Sequence, residues 1–207
     1  MATEDFLIWL FCLVDDRLGG RPKHPQAQLW PSELVTIGLL FALKGSSFRS
    51  FYRWLERDYA AVFGGLPERT RLLRALRTHQ TETQRFLADP TFFTVIDTYG
   101  IELIHPWRYG RSPRQVGRKG FSNHRWIVGL KLCARGEWNE RMLIETVLSL
   151  VHRVCRLKYL WHRTWPYLQM HLAYVTALFN ALLALNQQLD PGSSEEVRWP
   201  HIAQYAL

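Results

Sequence analysis

From Trp165 to Leu189 the chain carries no Asp, Glu, Lys or Arg. An uncharged segment of that length reads as one helix, which must either cross about 30 Å of hydrocarbon or be buried by the rest of the chain. Its polar residues argue for burial: Gln169, His171, Thr176, Asn180, Asn186, Gln187 and Gln188 recur along it, and side chains of that kind are costly in lipid. The expectation is a buried helix of a soluble fold, with no membrane partner. The remaining chain must then supply the apolar surface that covers it. A hydrophobic content of 47% over 207 residues, including 9 Trp, is enough for one compact domain or two small ones.

Lys and Arg number 26 against 18 acids, for a net charge of +8 and a pI near 9.7. That balance favours a polyanionic partner, either nucleic acid or an anionic membrane surface. Cys12, Cys133 and Cys155 are odd in number, widely spaced and in apolar company, which suggests neither a disulfide framework nor a zinc cluster and fits a reducing compartment. Glu4 and Asp5 precede the apolar run Phe6–Val14. Acids there are the wrong sign for a signal peptide, so a cytoplasmic location is expected.

Helical signals dominate the first part of the chain. A first helix over about 4–18 stops at Gly19-Gly20, and a Pro-rich loop follows over 21–28. Pro31-Ser32-Glu33 opens a second helix, Leu34, Ile37, Leu40 and Phe41 repeat at its spacing, and Lys44-Gly45 closes it. A third helix follows after the shortest of turns. Phe48, Phe51, Tyr52, Leu55 and Tyr59 lie on one of its faces, with Arg49, Arg53 and Arg57 on another. Two helices joined by a tight Gly-containing turn resemble a helix-turn-helix, with Arg49 and Arg53 as candidate DNA contacts; a plain helical hairpin with solvated arginines stays open. Pro67 opens a fourth helix with Leu72, Leu73 and Leu76 inside, and the polar stretch 78–84 reads as a linker.

From 91 onward the pattern changes to strand, loop, strand. Residues 91–96 and 125–133 read as strands, with 101–105 a shorter candidate between them. Asp97 stands at the end of the apolar run Phe92–Ile96, where a strand fixes a carboxylate while a loop leaves it open; capping a Thr98-Tyr99-Gly100 turn is its plainer role. Arg108, Arg111, Arg114, Arg118, Lys119 and Arg125 follow without an acid, among Gly110, Gly117, Gly120, Tyr109 and Phe121. A flexible basic loop of this kind suits a phosphate backbone. Helical periodicity resumes over about 138–160, placing Trp138, Arg141 and Glu145 on one face. A tail starts at Pro191-Gly192-Ser193-Ser194.

Val95-Ile96-Asp97-Thr98-Tyr99, Gly117-Arg118-Lys119-Gly120, Asn123 to Leu132 and Trp138 to Thr146 together resemble insertion-sequence transposases of the DDE superfamily, in the large "IS four" and "IS five" groups. That family surrounds its catalytic glutamate with Tyr-x2-Arg-x3-Glu. Here Trp138 stands at the tyrosine position, Arg141 and Glu145 match in spacing, and His152 stands where a lysine is usual. The resemblance implies an α+β, predominantly helical fold. It consists of a helix-turn-helix-like DNA-binding region at 1–86, a truncated ribonuclease-H-like catalytic domain at 87–189 with about three strands and long C-terminal helices, and a tail at 190–207. It also implies Asp97 and Glu145 as catalytic residues and ligands of Mg²⁺ or Mn²⁺. Arg49, Arg53, Arg108, Arg111, Arg114, Arg118, Lys119, Arg125 and Arg141 become DNA contacts, and the partners become the terminal inverted repeats of an element, a second copy, or an intact transposase.

Family members carry further strands, and a second catalytic aspartate, between the positions equivalent to Cys133 and Arg135. Here the next aspartate after Asp97 is Asp190. The expectation is a transposase-family protein impaired in cutting; the alternative is a non-enzymatic DNA-binding protein that occupies element ends or inhibits an intact transposase.

Overall fold

The computed structural model describes residues 3–87, 95–113, 115–122, 125–136 and 164–189, with 152, 155, 157 and 160; at 3, 95–99, 131–136 and 186–189 it describes the backbone only. The chain divides into two compact units, Met1–Ala88 with Gln169–Leu207, and Asp89–Leu168. The helix expected over 138–160 falls almost entirely outside the described residues, as does the tail from 190.

In the helical unit, local chemistry sets the element ends. α1 (Thr3–Leu18) gives way at Gly19. α2 (Pro31–Lys44) begins with Pro at its first position, and the Glu33 carboxylate accepts the Trp30 N–H at 2.6 Å, which satisfies a donor the helix itself cannot. It stops at Gly45, whose φ of 54° is left-handed and costs any residue with a Cβ. Every residue from Leu34 to Leu43 is buried, so α2 is a central helix covered on all sides. Thr36 meets the demand of its own buried hydroxyl by donating to the Ser32 carbonyl at 2.8 Å.

α3 (Phe48–Tyr59) starts at Ser47, whose hydroxyl accepts the Ser50 N–H, and buries only Phe51 and Leu55. α4 (Arg69–Thr78) starts at Glu68 and buries Leu72 and Leu76. The stretch expected to be a polar linker is a 3-10 helix over His79–Phe86 with Thr83 and Phe86 buried. Its polar composition concealed those two inward positions.

α5 (Trp165–Leu189) is the uncharged segment, a single helix as expected. Of the single described helices it alone is long and apolar enough, over Trp165–Leu185, to cross a membrane. Its Tyr174 and Asn180 tie it instead to the N-terminal helices: the Tyr174 hydroxyl donates to the Leu76 carbonyl at 3.0 Å, and the Asn180 amide donates to the Phe86 carbonyl at 2.6 Å. His171 meets Phe41 of α2 edge-on, with ring centroids 5.0 Å apart. The sequence reading joins this helix to the sheet. In the structure its part from Gln169 onward belongs with the N-terminal helices, because those helices hold the apolar surface and the carbonyls that its face requires.

The second unit holds a three-stranded antiparallel sheet in the order β1-β3-β2. The strands are β1 (Val95–Ile104), β2 (Arg118–Ser122) and β3 (Arg125–Gly136). Helices and a small antiparallel sheet make the chain α+β, as expected. The strands differ from those read in the sequence in three ways. β1 runs unbroken through Asp97 and Gly100, so there is no turn at 98–100; Thr98, Tyr99 and Ile101 are good strand formers, and one glycine does not stop them. Part of the basic loop is β2, paired with β3 from Arg118↔Gly129 to Ser122↔Arg125. β3 continues past Cys133 to Gly136, opposite Val95.

Candidate nucleic-acid interface

α3 is presented at a sharp corner. The axes of α2 and α3 differ by 118°, within the range of about 90–120° that characterises a helix-turn-helix. Gly45 makes the corner, Ser47 starts the new helix, and Lys44 reaches across to place its ammonium 4.6 Å from the Trp54 ring centre. Arg49 and Arg53 sit one turn apart on the exposed side, and among the described residues neither takes part in an ion pair. Arg57, the next in that row, differs. It clasps Asp58 through two hydrogen bonds of 2.6 and 2.7 Å, which hold the Asp58 carboxyl below its usual range. Its charge is therefore already answered, and α3 offers Arg49 and Arg53 outward. They line an open cleft of about 340 Å³ with Tyr52, Glu56, Glu68 and Arg69. The Tyr52 hydroxyl donates to the Pro67 carbonyl at 3.1 Å and so joins α3 to the segment leading into α4.

The other basic surface belongs to the sheet unit. Arg118 and Lys119 are exposed on β2, and Arg108 and Arg111 are exposed after β1. The turn between them is built locally: the His105 imidazole accepts the Trp107 N–H at 3.4 Å, and the Gln115 amide oxygen accepts the Gly110 N–H at 2.7 Å. Arg125 is exposed but paired with Glu102 at 3.1 Å. The two long side chains meet along one face of the sheet, since Glu102 opposes Gly129 and Gly129 lies four residues, an even number, from Arg125 on β3.

The two carboxylates nominated for metal fare differently. Asp97 is the third residue of β1, opposite Ala134; this corrects the expectation that it ends a strand and opens onto a loop, because pairing with β3 carries the strand on to Ile104. Glu145 lies outside the described residues, as do Arg114 and Arg141. No group of three or more His, Cys, Asp or Glu side chains that could hold a metal occurs among the described residues. Two carboxylates also fall short of the three that the resemblance requires for a pair of Mg²⁺ or Mn²⁺ ions.

Trp107 and Trp126 escaped the sequence reading as surface residues, yet they are 83% and 59% exposed. The available signal was the alternation Lys119-Gly120-Phe121 ahead of Arg125-Trp126, which marks a hairpin when two residues separate the arms.

No family model, curated protein or solved structure matches the chain.

Proposed function

We propose that the chain is a DNA-binding protein of insertion-sequence transposase descent, with α3 entering the duplex groove and cutting activity impaired. One observation carries the DNA-binding part: α3 stands at 118° to α2 across the Gly45 turn, with Arg49 and Arg53 exposed and outside any ion pair among the described residues. Arginine at such positions meets phosphates and guanine edges without first giving up an internal partner. A net charge of +8 adds long-range attraction to the same ligand. The descent is supported by the motifs around Asp97, Gly117–Gly120 and Trp138–Glu145. The finer assignment, a truncated ribonuclease-H-like core, rests on the same motifs. Impairment follows from the missing second aspartate.

Fluorescence anisotropy with a labelled duplex tests the binding. Affinity should fall steeply with salt, and the Arg49→Gln/Arg53→Gln double variant should reduce the slope of log K against log salt by about 2. Absence of duplex binding at low salt would overturn the proposal. Incubating the protein with duplexes cut from the DNA on either side of its gene, in Mg²⁺ or Mn²⁺, should leave them intact; nicking lost in both Asp97→Ala and Glu145→Ala would show an active enzyme instead.

A further inference from the structure

The end of the sheet where β2 turns into β3 holds its largest rings outward. Trp107, Trp126 and Phe121 are 83%, 59% and 54% exposed, while Ile101, Ile127 and Val128 just inside are buried. Three large rings left in water at one place forgo burial worth a few kcal/mol, and surfaces of this kind commonly mark a binding site. The rings are held in place. Phe121 opposes Trp126 in the ladder, with ring centroids 5.6 Å apart and planes at 71°. The Lys119 ammonium lies 5.3 Å from the Trp126 ring centre. Trp107 meets His105 edge-on at 5.9 Å, and its turn follows Ile104, which pairs with Val128, so it belongs to the same end of the sheet.

Among the described residues that flank the rings, the charge left outside ion pairs is of one sign. From Leu103 to Gly136 there is no acid, and Glu102 is engaged by Arg125. Rings alone would suit an apolar partner; rings interleaved with uncompensated cations suit a polyanion that has flat faces to offer. In a duplex those faces are hidden by stacking, whereas a single strand presents them.

We propose, building on the nucleic-acid reading above, that this end of the sheet is a base-stacking platform for single-stranded DNA. Unpaired bases stack on Trp126 and Phe121, and Lys119, on the same face of the hairpin, takes a flanking phosphate. Lys119 is already placed to reach the phosphate of a base lying on Trp126. The platform and α3 then divide the work, with unpaired DNA taken by the sheet unit and duplex by the helical unit.

Anisotropy of the full chain with labelled oligo(dT), an abasic strand of equal length and a duplex of equal length tests this. Oligo(dT) should bind about tenfold more tightly than the abasic strand, and Trp126→Ala should remove about that factor while leaving duplex binding unchanged. Trp126→Phe should restore most of it. Arg49→Gln/Arg53→Gln should show the reverse pattern, weakening duplex binding and sparing oligo(dT). If Trp126→Ala shifts the thermal midpoint, Lys119→Gln serves in its place, lowering the salt slope for oligo(dT) by about 1. Equal binding of oligo(dT) and the abasic strand, with duplex binding intact, would overturn the platform and leave the duplex reading standing. Loss of all binding would overturn both. A dimer of the free chain in sedimentation that Trp126→Ala dissolves would assign the rings to a second copy and overturn the platform.

Discussion

Gly38 and Tyr174 share one space. A Cβ built at Gly38 would lie 2.2 Å from Cε1 of the Tyr174 ring, and that ring is fully buried. Gly38→Ala would gain about 1 kcal/mol of helix propensity but forces the ring out of a packed site, at a cost of about 1–3 kcal/mol or more. The expected outcome is a lower thermal midpoint by circular dichroism. The Tyr174 phenol is a second handle on the same contact. Burial pushes its pKa well above the ordinary value, with the nearby Glu82 charge adding to the effect, and only the protonated phenol can donate to the Leu76 carbonyl. Because the folded pKa exceeds the unfolded one, this stability is complete below about pH 10 and is lost as the pH rises beyond it. Tyr174→Phe should cost about 1 kcal/mol or more at neutral pH, and its deficit relative to wild type should narrow in alkaline denaturation curves.

At the scale of elements, caps decide where helices begin. The Glu68 carboxylate starts α4 by accepting from the Thr70 hydroxyl, from the Thr70 N–H at 3.0 Å and from the Arg71 N–H at 3.3 Å. These bonds, the hydroxyl's first, hold its carboxyl below the usual range. With the folded pKa depressed, the contribution is present above the unfolded value and disappears as pH falls through the folded one. Glu68→Ala should therefore lower the thermal midpoint near neutral pH, with the difference fading under acid. Ser47 plays the same part for α3, and Ser47→Ala should cost about 1 kcal/mol in urea denaturation and weaken duplex binding by fraying the turn that carries Arg49. Such local signals were legible in the sequence: Pro31, Glu33, Gly45 and Ser47 each act within a few residues of their own position. β2 was only faintly so: the alternation Lys119-Gly120-Phe121 hints at a hairpin arm, but a short Gly- and Arg-rich segment becomes a strand only when Trp126 and its neighbours lie alongside it.

At the scale of the whole molecule, charge and burial are divided between two units. The helical unit buries the uncharged α5 through Tyr174 and Asn180, and the sheet unit carries the acid-free tract from Leu103 to Gly136. Each has its own basic surface, so the unit-specific variants should act independently. Combining Arg49→Gln/Arg53→Gln with Trp126→Ala should lower duplex and oligo(dT) binding by the same factors as the separate variants do, as expected for sites with no shared partners. Titration of each variant with both ligands measures this directly.

The sequence by itself determined both ends of α2, the start of α3, the need to cover residues 165–189, and the chain's own excess of positive charge. Each follows from local backbone chemistry or from composition. Only the tertiary structure decided that α5 is covered by the helices carrying Gly38, Leu76 and Phe86, that Asp97 lies within a strand opposite Ala134, and that Phe121 and Trp126 face solvent on a hairpin. Those outcomes depend on which distant segment supplies a carbonyl, a space or a pairing edge, and no short stretch of sequence names its own partner.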